Sequence, residues 1–207
     1  CDAAPATPVC AMRCAPGAFD LNASPDDGCE LLLDADAIYV SFADGANTSS
    51  CGLGPVQTGG GRFPCATLNA GLSRAMATGR TKVLVASGQY EGNIALSSGI
   101  SLLGGYNPIT WARDPQANPT VLRGFDTGGH SRTVVAENLS SPTTFDGFTV
   151  FGPAASGASA NSYGLYVRDS PALSITNNIV IAGSGGRGTP GVSGTAFPAS
   201  ADGDTGA

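Results

Sequence analysis

The chain has 207 residues, a net charge of −6, and charged side chains at only 13% of its positions. Its 10 Lys and Arg residues are scattered, which argues against nucleic acid or an anionic membrane as a main partner, because phosphate binding requires clustered positive charge. A hydrophobic content of 42% with 30 Gly and 14 Pro predicts a folded, turn-rich protein, and no apolar run approaches the roughly 20 residues of a membrane span.

The first 65 residues contain all six cysteines, an even number that indicates a disulfide-rich segment folded in an oxidising compartment. Cys51 and Cys65 frame a Gly-rich loop and are predicted to form a disulfide bond. The other four allow three connectivities, which the sequence does not distinguish: Cys1, Cys10, Cys14 and Cys29. Zinc binding is the alternative, but the spacings lack a paired C-x2-C arrangement. A chain that starts at Cys1 also resembles a processed bacterial lipoprotein, in which a lipid anchor on that sulfur would leave five other cysteines.

Oxygen-bearing side chains alternate between Cys14 and Cys29 as they do in the first half of an EF-hand calcium loop. The four candidate ligands are Asp20, Asn22, Ser24 and Asp26. The match is partial, because Pro25 stands where the EF-hand requires glycine and Leu31 stands where it requires a bidentate glutamate. The sequence therefore leaves two interpretations, a calcium loop and a solvated acidic turn.

An amphipathic helix is predicted for residues 67–78. Gly79 is suited to end it, and the i, i+4, i+7, i+8 spacing places four apolar residues on one face: Leu68, Leu72, Ala75 and Met76. Gly71 weakens a free helix by about 1 kcal/mol relative to alanine, so we expect packing to hold the helix in place. We interpret it as a cap over the first coil of a stack, with an ordinary surface helix as the alternative.

Short β-type runs begin at Lys82. Between Lys82 and Tyr106, turns of Gly, Ser or Asn separate three apolar runs, at residues 83–85, 94–96 and 100–103. Strands this short, with no helical pattern between them, favour a sheet that changes direction at each turn. We interpret them as three strands of one coil of a right-handed parallel β-helix. The alternative is an antiparallel β-sandwich, but the chain contains no Asn-Gly hairpin dipeptide.

Similar runs downstream predict further coils, at residues 119–124, 132–136, 144–152, 164–168 and 173–183. The best internal match aligns residues 145–152 with residues 176–183. Their separation exceeds one bare coil of about 20 to 30 residues, which predicts a loop insertion at residues 153–162. After Ile181 the chain becomes Gly-rich without a second amphipathic helix. We expect the C-terminal edge of the stack to be open, or to be covered by further coils, another subunit or the Gly-rich tail.

Residues 38–41, 64–72, 79–90 and 99–106, with the Cys51–Cys65 pair, resemble the opening of secreted bacterial right-handed β-helix proteins of the pectate-lyase-like superfamily. The resemblance covers about residues 38–183. It implies an all-β fold, a parallel β-helix solenoid with an N-terminal capping helix and a disulfide-rich N-terminal segment. It implies no particular activity, since the superfamily includes lyases, hydrolases, tailspikes and adhesins.

The chain then divides into four segments. A Cys- and Asp-rich disulfide module spans residues 1–36, and the lead-in strand, disulfide loop and capping helix span residues 37–81. The β-helix coils span residues 82–183, and a Gly-rich tail or the start of further sequence spans residues 184–207.

Residues that could perform catalysis are sparse. The one histidine, His130, lies in a Gly-rich loop and forms a candidate acid–base group for sugar chemistry with Asp126, Asp146 and Arg132; a solvated loop histidine is the alternative. The coils lack the catalytic motifs of polygalacturonases and calcium-dependent pectate lyases. Aromatic rings that could stack on sugars along a lateral groove are Tyr90, Tyr106, Trp111, Tyr163 and Tyr166, although Tyr90 and Tyr106 end strands and could instead fill corners.

Three functions are compatible with these features. The first is a non-catalytic extracellular structural or adhesive protein that assembles end to end, with itself or neighbouring subunits as partner. The second is a carbohydrate-active enzyme, a polysaccharide lyase or glycoside hydrolase, or a polysaccharide-binding module. The third is a stabilising N-terminal domain of a longer secreted protein. Few ionisable residues and an open edge favour the first, at an extracellular or cell-surface location and without a cofactor beyond the possible calcium.

Overall fold

The computed structural model describes residues 14–15, 17–20, 26, 28–55 and 63–194. Within these ranges the chain forms fourteen β-strands and one α-helix. Most strands belong to three parallel sheets, so the expected strand-dominated class is confirmed. Cys1, Cys10, Asn22, Ser24 and the tail from residue 195 lie outside the described ranges.

A small antiparallel pair begins the described chain. β1 (Ala18–Phe19) pairs with β2 (Leu31–Leu32), and a disulfide bond joins Cys14 to Cys29. This bond is one of the pairings that the sequence left open. The Cys51–Cys65 disulfide bond is confirmed.

The remaining elements follow in chain order. They are β3 (Ala37–Val40), α1 (Leu68–Thr78), β4 (Lys82–Ala86), β5 (Gly88–Glu91), β6 (Ile94–Ala95), β7 (Ser101–Tyr106), β8 (Thr120–Arg123), β9 (Ser131–Glu137), β10 (Thr143–Asp146), β11 (Phe148–Phe151), β12 (Ser162–Arg168), β13 (Leu173–Thr176) and β14 (Ile179–Ile181).

The chain visits three parallel sheets in rotation. The first sheet has the spatial order β3, β4, β7, β10, β13, the second β5, β8, β11, β14, and the third β6, β9, β12. Thus β4 to β6 make one circuit, β7 to β9 the next and β10 to β12 a third, and β13 and β14 begin a fourth. We call each circuit a coil.

The observed strands correct the coil predicted from residues 82–106. β5 was missing from the prediction, because its polar Gln89 and Glu91 leave Tyr90 as its one buried apolar side chain. The apolar run at residues 100–103 is β7, which pairs with β4 and opens the next coil. Residues 144–152 and 173–183 each contain two strands rather than one.

One apolar cluster takes side chains from all three sheets and from α1. Side chains at matching register positions stack from coil to coil, as Val83, Leu102 and Phe145 do in the first sheet. The apolar runs of the sequence predict an inward column of side chains, and the following members are confirmed as buried in this cluster or, for Leu165, as packed against it: Val83, Val85, Ile94, Leu96, Leu102, Val134, Val150 and Leu165.

The apolar runs also predict inward side chains at Val121, Ile175 and Ile181, and the structure differs at these three positions. Val121 is only half-buried, because Thr120 and Leu122 occupy the buried positions of β8. Ile181 pairs with the half-buried Phe151, whereas its neighbour Val180 pairs with the buried Val150. Ile175 pairs with the buried Phe145 as expected, but it is 43% exposed because no later coil covers it within the described residues.

The internal alignment was also wrong by one residue. Phe145 pairs with Ile175, not with Thr176. The shift arises because Asn178 takes the place beside Phe148, whose backbone N–H donates a 2.8 Å hydrogen bond to the Asn178 side-chain oxygen.

Helix α1 packs on the first strands of the stack, as predicted for a cap. The Thr67 hydroxyl accepts a hydrogen bond from the Ala70 N–H, and Gly79 ends the helix at φ +69°. Leu68, Leu72 and Ala75 are buried, but Met76 is 56% exposed and does not join the apolar face as predicted.

Gly71 allows α1 to approach the first sheet closely. A Cβ atom at Gly71 would lie 2.4 Å from Val40 Cγ2 and 3.3 Å from Val83 Cγ1. Glycine has a low intrinsic helix propensity, but no larger residue would fit at this position of α1.

A second apolar cluster covers the other face of the first sheet. Tyr39, Leu84 and Trp111 are buried in it, and Leu31 from the disulfide module packs against it. The Trp111 ring lies edge-on to Tyr39 with ring centroids 4.9 Å apart, and its indole N–H donates to the Pro55 carbonyl oxygen at 3.1 Å. The first three strands of this sheet, β3, β4 and β7, are therefore covered on both faces.

The Gly-rich segment after β14 continues the path of the preceding loop. Ala155 N–H donates to Ser184 O at 2.9 Å, Ser159 N–H to Arg187 O at 2.7 Å, and Gly186 N–H to Ala160 O at 2.8 Å. A Cβ atom at Gly186 would lie 1.8 Å from the Gly157 carbonyl oxygen. The glycines thus permit backbone-to-backbone contact between successive loops.

Candidate functional site

The last strand of each parallel sheet lacks a strand partner on its outer side among the described residues. These strands are β12, β13 and β14. Together their outer edges form what we call the open edge. A parallel edge presents unpaired N–H and C=O groups, which makes it a template for pairing with another strand.

Apolar side chains that belong to the interior are exposed at the open edge. Val167 pairs with the buried Ala136, Ile175 with the buried Phe145, and Val180 with the buried Val150. They are 45%, 43% and 43% exposed, respectively, whereas their partners in the preceding coil are essentially inaccessible. The apolar column therefore reaches the surface here.

Two of the three strands of the open edge lack the charges that usually prevent strand pairing. β13 has the sequence Leu-Ser-Ile-Thr and β14 the sequence Ile-Val-Ile, so neither strand contains an ionisable side chain. The third strand, β12, ends at Arg168, whose Nη2 lies 3.2 Å from Glu137 Oε1 and whose Nε lies 3.8 Å from Asp169 Oδ2. The uncharged edge of β13 and β14 favours association.

A buried carboxylate joins the corners of the last two coils. The Asp146 carboxylate accepts hydrogen bonds from Arg113, Thr176 and Asn177, the last at 2.8 Å. Burial by itself would raise the pKa of Asp146, but these hydrogen bonds and the Arg113 charge outweigh it and hold the pKa below its usual value. Asp146 is thus a fixed anion with a structural role.

Asn177 and Asn178 support this corner. Asn177 adopts φ +50°, a turn conformation that asparagine tolerates better than most residues. The Asn178 side-chain amide donates to Phe145 O at 2.8 Å and its oxygen accepts from Phe148 N–H. The two side chains therefore connect β10 and β11 to the coil that follows them.

A groove of about 780 Å³ lies beside this corner. Its lining includes polar groups from the loop before β8 and apolar groups near β14, among them Arg113, Gln116, Pro119, Asn177 and Ile179. Arg113 is largely committed, since its Nε donates to Gly104 O at 2.9 Å and its Nη2 pairs with Asp146. The groove therefore presents little net charge to a ligand.

The four residues proposed as an acid–base group do not converge. The Asp126 carboxylate accepts hydrogen bonds from Ser131 Oγ at 2.6 Å and from Ser156 N–H at 3.0 Å, which lower the pKa of Asp126. His130 Nδ1 accepts from Asn161 N–H at 3.0 Å. Asp146 instead pairs with Arg113 at the end of β10, in a different sheet from Arg132.

Arg132 lies on the outer face of the third sheet. Its guanidinium carbon is 3.8 Å from the Tyr166 ring centroid, and its Nη1 is 3.9 Å from Glu137 Oε1. Tyr163 and Tyr166 are half-buried and lie edge to face with centroids 5.4 Å apart. The arginine covers a face of the Tyr166 ring, so it competes with a stacked sugar there.

Two further sugar-stacking candidates are buried. Tyr90 donates from its hydroxyl to Ala86 O at 2.9 Å, and burial raises the pKa of this phenol. Trp111 is enclosed in the outer cluster. Tyr106 is half-buried and packs against Trp111 and Arg113. The corner-filling interpretation therefore fits Tyr90, and the rings of Tyr90 and Trp111 are not available to a sugar.

The calcium hypothesis stays a prediction, because two of its four ligands lie outside the described ranges. Asp20 has a buried carboxylate oxygen, Oδ1, without a hydrogen-bond partner. Across the parts of the chain that the structure describes, no group of three His, Cys, Asp or Glu side chains is placed to hold a metal ion.

Sequence reasoning missed the Arg113–Asp146 pair. The adjacent Arg113 and Asp114 predict a local ion pair or a loop anchor. Asp114 anchors its loop by accepting the backbone N–H groups of Gln116 and Ala117, but Arg113 pairs with Asp146. The sequence contains no clear signal for this pair, because alternation along a strand places the residue after the inward Phe145 on the opposite face, where a carboxylate can be solvated. The other adjacent pair, Arg168 and Asp169, is confirmed as a local contact.

Comparison of the chain with protein-family models, with curated proteins and with solved structures finds no match. Within the described ranges, no helix combines the length and apolar character needed to cross a bilayer. Both described disulfide bonds are consistent with an oxidising, extracellular environment.

Proposed function

We propose that the protein is a non-catalytic extracellular structural protein that associates with a second copy of itself through its open edge. In this proposal the three sheets are the walls of a right-handed parallel β-helix related to the pectate-lyase-like superfamily. The rotation of the chain through three parallel sheets supports the β-helix, and the strong preference of parallel crossover connections for the right hand supports its handedness.

The exposure of Val167, Ile175 and Val180 at the open edge carries the proposal. These side chains continue a buried apolar column, so covering them removes apolar surface from water, at roughly 25 cal/mol per Å². The unpaired backbone groups of β13 and β14 would gain partners in the same step. A second copy provides strands of matching chemistry, since its β13 and β14 are also uncharged and expose the same apolar side chains.

The ionisable residues support a non-catalytic role. Asp126 and Asp146 are held by several hydrogen bonds each, and His130 accepts a backbone N–H at the nitrogen a general base would use. An acid–base pair needs groups that meet at one substrate atom. These side chains instead fix loops and corners.

Sedimentation velocity of the purified chain over a range of concentrations tests the proposal. We expect concentration-dependent association of the parent and loss of association in Val180→Lys and Ile175→Lys, because each introduces a charge at the apolar centre. Ile109→Lys is the matched control, since Ile109 is 65% exposed in a loop outside these strands. Circular dichroism establishes that each variant is folded.

A parent that is monomeric at every concentration overturns the proposal. A variant that ends at Gly194 tests whether residues 195–207 of the same chain cover the open edge. If only this shortened chain associates, residues 195–207 cover the open edge and a second copy does not. The truncation is placed at Gly194 because a chain that ended before residue 184 would lose the hydrogen bonds between residues 184–187 and 155–160.

The groove beside Asp146 favours a second candidate, binding of a neutral polysaccharide. Its size and its mixed lining of amide and apolar groups suit a hydroxyl-rich, uncharged ligand. Gln116 is exposed, with no described side-chain contact, so Gln116→Ala is a clean test. We expect an array of neutral glycans to retain the parent and the control Gln89→Ala but not Gln116→Ala. An array that does not retain the parent would contradict this function.

A further inference from the structure

We infer that the second copy presents the same end of its own stack, so that association is two-fold symmetric and stops at two chains. This inference rests on the proposed function. It concerns which surface of the partner meets the open edge, and it follows from the different construction of the two ends of the stack.

The first reason is that α1 occupies the N-terminal end. Leu68, Leu72 and Ala75 are buried in the same apolar cluster as Ile38 and Val40 of β3. A Cβ atom at Gly71 would already overlap Val40, so no space remains between helix and sheet. The apolar column that is exposed at the C-terminal end is covered at this end.

The second reason is that the backbone of β3 is already paired on its outer side. Tyr39 N–H donates to Gly52 O at 3.0 Å, Cys65 N–H donates to Tyr39 O at 2.9 Å, and Ser41 N–H donates to Cys65 O at 2.9 Å. The Cys51–Cys65 disulfide bond fixes the segment that makes these contacts. A strand from another chain has no free ladder here.

In a head-to-tail contact, β13 of one chain, the edge strand of the first sheet, would meet β3 of the next chain, whose outer side is covered. The first sheets could pair in this way only if α1 and the disulfide loop left β3. Among the described residues, β5 and β6 have no strand partner on their outer sides at this end, so the obstruction lies in the first sheet. The open edge of a second copy, in contrast, offers both an unpaired backbone and the apolar residues Val167, Ile175 and Val180.

The chemistry of the open edge is compatible with contact between two identical copies. β13 and β14 have no charges, so a two-fold axis brings no like charges together there. Strands of the two copies run antiparallel across such an axis, and antiparallel ladders are at least as stable as parallel ones. An isologous contact uses the same patch on both chains and is closed. The assembly is then a dimer and not a filament.

Single-cysteine crosslinking with a short bis-maleimide distinguishes the two arrangements. Ser174 is exposed on β13, and Met76 is exposed on α1. We expect Ser174→Cys alone to give crosslinked dimers, Met76→Cys alone to give none, and a mixture of the two to give no ladder of larger products. The unsubstituted parent controls for reaction elsewhere.

Light scattering provides a second measurement that requires no substitution. The mass should rise with concentration to twice the chain mass and remain there. Open-ended particles, or a ladder that requires both cysteines, would overturn the two-fold inference and leave the proposed self-association intact. A monomeric parent would overturn the proposed function itself. A dimer that persists in both Ile175→Lys and Val180→Lys would show that the interface lies elsewhere, which contradicts both.

Discussion

The carboxylates of Asp126 and Asp146 hold successive coils together. Asp126 accepts hydrogen bonds from Ser131 in its own loop and from Ser156 in the next loop. Asp146 accepts hydrogen bonds from Arg113 in the preceding coil and from Asn177 in the following coil. In both cases an anion satisfies donors on different coils, so its charge contributes to the stability of the stack.

Neutralising Asp146 should therefore destabilise the protein. Asp146→Asn keeps the shape of the side chain but leaves Arg113 without its anion, and losing a charged hydrogen bond costs about 1.5 to 3 kcal/mol. We expect a loss of this size in the free energy of unfolding in urea at pH 7. Glu91→Gln, at an exposed position of β5, is the control and should unfold like the parent.

The same pair predicts the acid response. Because the pKa of Asp146 is lowered on folding, its stabilisation is complete above the unfolded pKa of about 3.9 and is lost as the pH falls below that value toward the folded pKa. The parent should lose more stability between pH 5 and pH 2.5 than Asp146→Asn does. Equal losses would mean that the carboxylate is not stabilised by the fold. Asp36 and Asp126, whose pKa values are also lowered, preserve part of the acid sensitivity.

At the scale of single elements, alternation of apolar residues identified most strands but not every face. Val83 and Val85 lie in the continuous apolar run of β4, so their burial could be predicted from the sequence alone. In β8 the buried positions are Thr120 and Leu122, and a threonine at an inward position gave no hydrophobic signal. β5 was missed for a related reason, since only Tyr90 marks its inner face.

Two neighbouring residues of β8 test the corrected register. Leu122 is fully buried and Val121 is half-buried on the opposite face. Leu122→Ala should lower the free energy of unfolding by about 2 to 5 kcal/mol because it removes buried methyl groups and leaves a cavity. Val121→Ala should cost well under half as much. Similar losses for both variants in urea unfolding would contradict the register.

The Cys51–Cys65 disulfide bond is the second testable element. Both cysteines are buried in the main apolar cluster, and the bond closes a segment of 14 residues against β3. Replacing both with alanine should lower stability by about 3 kcal/mol, since the unfolded chain loses a constraint. Chemical denaturation of the double variant measures this loss, and peptide mapping without reduction checks the bond. An unchanged midpoint, or free thiols at both positions in the parent, would refute the expectation.

Considered as a whole, the described part of the molecule has a helix over its first end and an open edge at the other. The helix was predictable from residues 67–78, because helical spacing and the glycine that follows agree. For the C-terminal edge, the sequence predicted an open edge or a cover of further coils, another subunit or the tail, since no second amphipathic helix follows β14. Gly52 and Cys65 form backbone hydrogen bonds with β3 that leave no free edge for another strand. These contacts were not predictable, because they join backbone atoms and leave no pattern of side chains in the sequence.

Association through the open edge should make thermal stability depend on protein concentration. A dimer gains stability with concentration by mass action, whereas a monomer does not. We expect the Tm of the parent to rise over a hundredfold increase in concentration and that of Val180→Lys to stay constant. Scanning calorimetry at several concentrations provides the comparison. A parent whose Tm is independent of concentration would argue against a folded-state dimer.

The single tryptophan gives this protein a built-in optical reporter. Trp111 lies in the outer cluster beside Tyr39, outside the column between the sheets, and its indole contacts Pro55 across the face of the first sheet. Its fluorescence therefore reports whether the loop before β8 and the disulfide module remain docked, while far-ultraviolet circular dichroism reports the strands. If the two signals change at different denaturant concentrations, the outer layer detaches before the coils unwind, and the chain unfolds from its flank inward.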